Sequence, residues 1–72
     1  MKKVLILGAG ISGIGSAELA KRNSLEILLS ESKEIDTKIK SKLKKLDIEF
    51  EENSHTNAKN YSADIVIKSP GI

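Results

Sequence analysis

Val4-Leu5-Ile6-Leu7-Gly8-Ala9-Gly10-Ile11-Ser12-Gly13 decides the fold of this 72-residue chain. Val4–Leu7 is an unbroken apolar run, as in a parallel strand covered on both faces. It feeds straight into a turn patterned Gly8-x-Gly10-x-x-Gly13. The residues that follow, through Ile14, Ala17 and Ala20, read as the start of a helix. Strand, glycine turn and helix together place backbone N–H groups around a phosphate. Each glycine has a mechanical reason. Gly8 permits the tight turn out of the strand, Gly10 lets backbone approach a pyrophosphate, and Gly13 lets the helix pack near the strand. The helix N-terminus adds partial positive charge at the N–H groups of Ile11, Ser12 and Gly13. A motif needed only for a tight turn would look the same, so the glycines alone do not choose a ligand.

The rest of the chain extends this unit. The first helix is expected from Ser12 to Arg22, with Gly13, Ala17 and Ala20 on one face that can lie close to a sheet. Asn23 is placed to end it in the left-handed conformation. Ile27-Leu28-Leu29 reads as a second apolar strand starting near Glu26 and ending at Ser30-Glu31-Ser32. A second helix should begin near Asp36 or Thr37, both good caps. Its stripe is Ile35, Ile39, Leu43 and Leu46, spaced 4, 4 and 3, with Lys38, Lys42 and Lys45 off it toward water. Asp47-Ile48-Glu49-Phe50 alternates and predicts a short third strand. The polar stretch Glu51–Lys59 is loop-like, with a weak helical turn near Thr56–Tyr61. Ile65-Val66-Ile67 is the fourth strand, and Lys68-Ser69-Pro70-Gly71-Ile72 leaves it through a turn.

The order β-α-β-α-β-(α)-β with right-handed crossovers predicts parallel strands in the order 3-2-1-4. The fold class is therefore α/β, a Rossmann-like three-layer parallel sheet. Residues 1–72 read as one truncated domain, since a doubly wound sheet normally continues past its fourth strand. The fourth strand would then be an exposed apolar edge. At this length roughly 60% of the unfolded chain's surface can be buried, so stability should be marginal.

Composition narrows the function. Lys and Arg number 12 against 10 Asp and Glu, a net charge of +2, and many of the lysines lie between Lys38 and Lys45. That run reads as a solvated helix face. Nucleic-acid binding would also want stacking aromatics, and only Phe50 and Tyr61 exist. There is no cysteine for a disulfide or thiolate metal site, which fits a reducing compartment. Lys2-Lys3 before a short apolar run superficially resembles a secretory signal, but none is expected, because the run dissolves into glycines and Glu18 and Lys21 follow. No stretch approaches the ~20 apolar residues of a membrane span. His55 is the only histidine and, in a polar loop, reads as solvated. No metal-ligand cluster, no nucleophile–His–carboxylate set and no G-x-x-x-x-G-K-[ST] phosphate loop is present.

Two further corners face the glycine turn. Glu31 ends the second strand, 18 residues after Gly13. An acid there accepts hydrogen bonds from a ribose or a base N–H, or stands as a surface carboxylate beside Ser30 and Ser32. Ser69-Pro70-Gly71 follows the strand expected beside the first, so it either contacts a ligand in the same crevice or is a plain turn.

Lys3–Gly13, Ala17-Glu18-Leu19, Ser30-Glu31-Ser32 and Ala63-Asp64-Ile65-Val66-Ile67-Lys68-Ser69-Pro70-Gly71-Ile72 together resemble the N-terminal domain of the UDP-N-acetylmuramoyl-L-alanine:D-glutamate ligase family, the Mur ligases of peptidoglycan synthesis. The resemblance covers nearly the whole chain. It implies a cytoplasmic cell-wall enzyme whose N-terminal domain holds the UDP part of its substrate, UDP-N-acetylmuramoyl-L-alanine. The resemblance further implies that Gly10, Ile11, Ser12 and Gly13 hold the diphosphate, with Gly8 shaping the loop. Glu31 and Ser32 would contact the uracil, and Ser69, Pro70 and Gly71 would close over it. Glu31 stands where the family commonly has Asp. ATP and Mg²⁺ belong to a central domain absent from this chain, and D-glutamate's amine then attacks the acyl phosphate. A C-terminal domain completes the amino-acid site. The isolated chain is expected to be non-catalytic, without a cofactor of its own, and to bind neither nucleic acid nor membrane.

Two alternatives stand beside this. Gly8-Ala9-Gly10-Ile11-Ser12-Gly13 with Ala17 is also an FAD or NAD(P) fingerprint, as in an oxidoreductase. Against it, Lys33-Glu34-Ile35-Asp36 follows the acid where such flavoproteins often carry Arg and a Gly-Gly pair. The other is a non-enzymatic module that self-associates through the fourth-strand edge.

Overall fold

A row of apolar side chains, Phe50, Leu29, Ile6 and Ile67, crosses all four strands in register. The computed structural model describes residues 2–68, with backbone alone at Ile11 and Ser12. The strands are β1 (Lys3–Leu7), β2 (Glu26–Ser30), β3 (Glu49–Glu51) and β4 (Ile65–Lys68). All pair in parallel, in the order β3-β2-β1-β4 expected from the crossovers. The helices are α1 (Ile11–Arg22), α2 (Thr37–Lys45) and the single turn α3 (Thr56–Lys59).

Unbroken apolar runs in β1 and β2 mean that both faces of the sheet centre are covered. Val4, Ile6, Ile27 and Leu29 join Ile14, Ala17, Ala20 and Leu43 in one core under α1 and α2. Ala17 is fully buried and Gly13 is buried too, as the small-residue face requires. The Glu18–Lys42 ion pair links α1 to α2 on that same side. Side chains alternate along a strand. Leu5, Leu28 and Ser30 therefore face the other way, and Ser30 meets His55 just before α3. Helices on both faces of one parallel sheet make the three-layer arrangement.

Both long helices end alike. The Leu25 N–H donates to the Ala20 carbonyl and that of Ser24 to Lys21, while Ile48 donates to Leu43 and Asp47 to Lys44. Each is a Schellman closure, which demands a left-handed residue just past the cap. Ser24 (φ 58°) and Asp47 (φ 57°) supply it. This corrects two expectations. Asn23 is not left-handed but caps α1 at φ −93°, its amide donating to the Leu19 carbonyl at 2.8 Å. Asp47 does not open the third strand, which starts at Glu49 because Asp47 and Ile48 close α2. A side chain in that conformation costs about 1 kcal/mol that glycine does not. Ser24→Gly and Asp47→Gly should each raise stability by about 1 kcal/mol in chemical denaturation.

Asp36 caps α2, its carboxylate accepting from the Lys38 N–H at 2.8 Å. Asp64 fixes where β4 joins the sheet. Its carboxylate accepts from the Lys3 N–H and its own N–H donates to the Lys3 carbonyl, both at 2.8 Å. Among the described residues β4 pairs with β1 alone, and Ile65 and Val66 are 41% and 58% exposed, an apolar edge as expected.

Candidate functional site

The glycine turn lies at the carboxyl end of β1, between the ends of β2 and β4. In open parallel sheets this is where ligands bind. Gly8 adopts φ 112°, a conformation that side chains resist, so the turn itself demands glycine there. Its N–H donates to the Ser30 carbonyl at 2.8 Å, which fastens the turn to β2. Gly10 caps α1 with φ −78° and ψ −175°, ordinary extended backbone. A Cβ added to Gly10 would meet nothing within 4 Å.

The start of α1 carries no side-chain cap and no acid in its first turn. The first intrahelical bond runs from the Ile14 N–H to the Gly10 carbonyl. The N–H groups of Ile11, Ser12 and Gly13 therefore have no intrahelical acceptor, and the helix dipole adds positive character to them. Three backbone N–H donors are thus grouped at the carboxyl end of β1.

Glu31 sits beside it, as expected, but its carboxylate is already engaged. Oε1 accepts from the Ala9 N–H and Oε2 from the Lys33 N–H, each at 2.9 Å. Ser32 Oγ donates weakly to Oε2 at 3.4 Å. Glu31 thus ties the glycine turn to the loop after β2. Burial disfavours its charge, yet the Lys33 and Ala9 N–H groups, with Ser32 and the nearby His55, hold its carboxyl below the usual range. With at most four lone-pair directions on a carboxylate, it has room for about one more donor.

A second polar cluster lies under this corner and was not anticipated from sequence. Ser30 is fully buried. Its Oγ lies 2.8 Å from Glu51 Oε2, 3.3 Å from the Ser54 carbonyl and in contact with His55 Nδ1. His55 is therefore docked on the sheet, not merely solvated. Glu51 also accepts from the Asn57 and Ala58 N–H groups at 3.0 and 2.8 Å, so it caps α3 from a neighbouring strand. Burial again opposes its charge, and the Asn57, Ser30 and Ala58 donors overcome it to lower its pKa. The one sequence signal was Ser30 itself, a hydroxyl directly after the apolar run Ile27–Leu29.

Both depressed carboxyls have the same consequence. Their charged forms are better stabilised in the folded chain, so that stability is complete above the ordinary value of 4.5 and is lost as pH falls below it. Acid titration of the fold should show weakening that begins near pH 4.5, and Glu51→Gln should flatten that slope.

Lys68 pairs with Leu7, which brings β4 to the same end of the sheet. Ser69, Pro70 and Gly71, expected at this corner, lie outside the described residues. Among the described residues no helix is long and apolar enough to cross a membrane.

Comparison with known proteins follows the same boundaries. The family model described as the MurD N-terminal domain matches residues 3–72. A similar curated protein is the UDP-N-acetylmuramoylalanine–D-glutamate ligase of Christiangramia forsetii, 51% identical over 71 residues, covering 99% of this chain and 16% of that protein. The proteins of the same name from Bacteroides thetaiotaomicron and Bacteroides fragilis are 47% and 44% identical over 72 residues, covering all of this chain and 16% of theirs. The chain thus spans about one sixth of the length of these relatives.

Proposed function

Because the chain belongs to the MurD N-terminal domain family, we propose that it is the UDP-holding part of a ligase of peptidoglycan synthesis, working in the cytoplasm on UDP-N-acetylmuramoyl-L-alanine. The observation that carries this is Gly10. The fold has no need of glycine there, since its φ is ordinary and the space beside it is open. A ligand that must approach the backbone supplies the need. Gly15 is equally open, but it lies a full turn into α1, past the free N–H groups.

In this reading the N–H groups of Ile11, Ser12 and Gly13 hold the diphosphate. Glu31 keeps the turn in shape and offers its last acceptor position to the uracil or ribose, with Ser32 beside it. Ser69, Pro70 and Gly71 close over the base. The names of the relatives favour a uridine ligand over the flavin or nicotinamide that the glycine pattern alone allows.

ATP and Mg²⁺ do not fit the residues present. The chain has no phosphate loop of the G-x-x-x-x-G-K-[ST] type, and no cluster of three His, Cys, Asp or Glu suited to a metal occurs among the described residues. No step of ligation runs through this chain. The 72-residue chain should give no ATP turnover with UDP-N-acetylmuramoyl-L-alanine and D-glutamate; measurable phosphate release would overturn the division of labour. Self-association is a second reading for the isolated chain, favoured by exposed Ile65 and Val66 on the β4 edge. Light scattering that finds a monomer at every concentration removes it.

A further inference from the structure

Ser30 Oγ has one proton and three neighbours that could take it. Glu51 Oε2 and the Ser54 carbonyl only accept, whereas His55 Nδ1 can accept or donate. The carboxylate is the nearer of the two pure acceptors, at 2.8 Å against 3.3 Å, and it is charged. A hydroxyl donates best to such a group. With the Ser30 proton on Glu51, His55 Nδ1 must carry a proton and donate it to Ser30 Oγ, or two lone pairs would face each other. The chain of donation runs His55 to Ser30 to Glu51.

This fixes the other ring nitrogen. A neutral imidazole with Nδ1 protonated has a bare acceptor at Nε2. No partner of Nε2 occurs among the described residues, and no buried side-chain polar atom there lacks a partner, so Nε2 reaches the surface. His55 follows β3 at the carboxyl end of the sheet. Ser30, which holds the ring, also accepts the Gly8 N–H at its carbonyl at 2.8 Å, so His55 and the glycine turn are fastened to the same residue.

We propose that His55 is a ligand-contacting residue at the nucleotide corner, held by Ser30 and Glu51 in the Nδ1–H tautomer so that Nε2 accepts from a ribose hydroxyl or base N–H of a bound nucleoside diphosphate. The ligand half of this rests on the diphosphate reading of the glycine turn; the tautomer half does not. Ser30 and Glu51 are positioning residues. The charged groups that face the ring are Glu51 on β3, through Ser30, and Glu31 beyond β2.

His55 is the chain's single histidine, so its imidazole nitrogen resonances are unambiguous. In ¹⁵N-labelled chain at alkaline pH, Nδ1 should carry the proton and Nε2 should show the resonance of a bare nitrogen. Glu51→Ala removes the charged acceptor that takes the Ser30 proton. That proton can then turn to Nδ1, and the signature should shift to Nε2–H. Ser30→Ala should also release the Nδ1–H tautomer, with dispersed amide resonances showing that the fold persists. Added UDP should move Nε2 and leave Nδ1 protonated, and His55→Ala should weaken UDP binding about three- to tenfold, the worth of one neutral hydrogen bond. An Nε2–H tautomer in the unaltered chain would overturn the positioning network. UDP that moves the Ile11 and Ser12 amides but not Nε2 would overturn the ligand contact alone. UDP that moves no resonance would overturn both the contact and the diphosphate reading beneath it.

Discussion

Gly10→Val should abolish UDP binding while leaving the fold in place. The φ of −78° and ψ of −175° suit any residue, and a Cβ there meets nothing within 4 Å. Valine is a poor helix cap, so a loss of up to about 1 kcal/mol is expected in denaturation. Its branched side chain would instead occupy the space that a diphosphate needs against the Ile11 and Ser12 N–H groups. Hydrogen bonds to a charged group contribute about 1.5–3 kcal/mol each. Losing two weakens binding by about 3 kcal/mol or more, over a hundredfold. Titration calorimetry with UDP reads this directly. Gly15→Ala is the control, because its site is open but lies within α1. It should gain about 1 kcal/mol of helix stability and bind UDP unchanged. A Gly10→Val chain that binds UDP as tightly as the parent would remove the reason given for that glycine.

Leu29→Ala should have the largest effect on stability. Leu29 is fully buried and lies between Ile6 and Phe50 in the row that crosses the sheet. Truncating such a leucine costs about 2–5 kcal/mol, because the core closes only partly over the cavity. A domain of 72 residues has about 4–11 kcal/mol in all, at about 0.05–0.15 kcal/mol per residue. The variant should therefore sit near its unfolding midpoint at 37 °C, as circular dichroism on heating would show. A melting temperature within a few degrees of the parent would mean that Leu29 is not the centre of the core.

The layout of the sheet was legible because it rests on local pattern. Val4–Leu7 and Ile27–Leu29 are unbroken apolar runs, and Gly13, Ala17 and Ala20 share one helix face. Crossover handedness then leaves one strand order. Helix ends were less legible. The αL position went to Ser24 and Asp47, polar residues with no glycine beside them to mark it. Their place follows from where Leu25 and Ile48 must enter the core to close each Schellman turn.

The site divides in the same way. Its glycine turn is contiguous in sequence and could be read there. Its polar links join residues 21, 22 and 25 apart: Ser30 to Glu51, Ala9 to Glu31, Ser30 to His55. Such pairs meet only once parallel strands are in register, and no local period announces them. For that reason Glu31 could be named as an acid at the end of β2, but its engagement with Ala9 and Lys33 could not. His55 looked like a solvated loop residue for the same reason.

The central claim is that the glycine turn is a diphosphate cradle for a uridine ligand. It is tested most directly by following the backbone amides of the ¹⁵N-labelled chain while UDP, FAD and NAD are added in separate titrations. The account predicts that UDP shifts Ile11, Ser12, Gly13 and Glu31, and that FAD and NAD at equal concentration leave them in place. Shifts at these residues with FAD or NAD and none with UDP would contradict it.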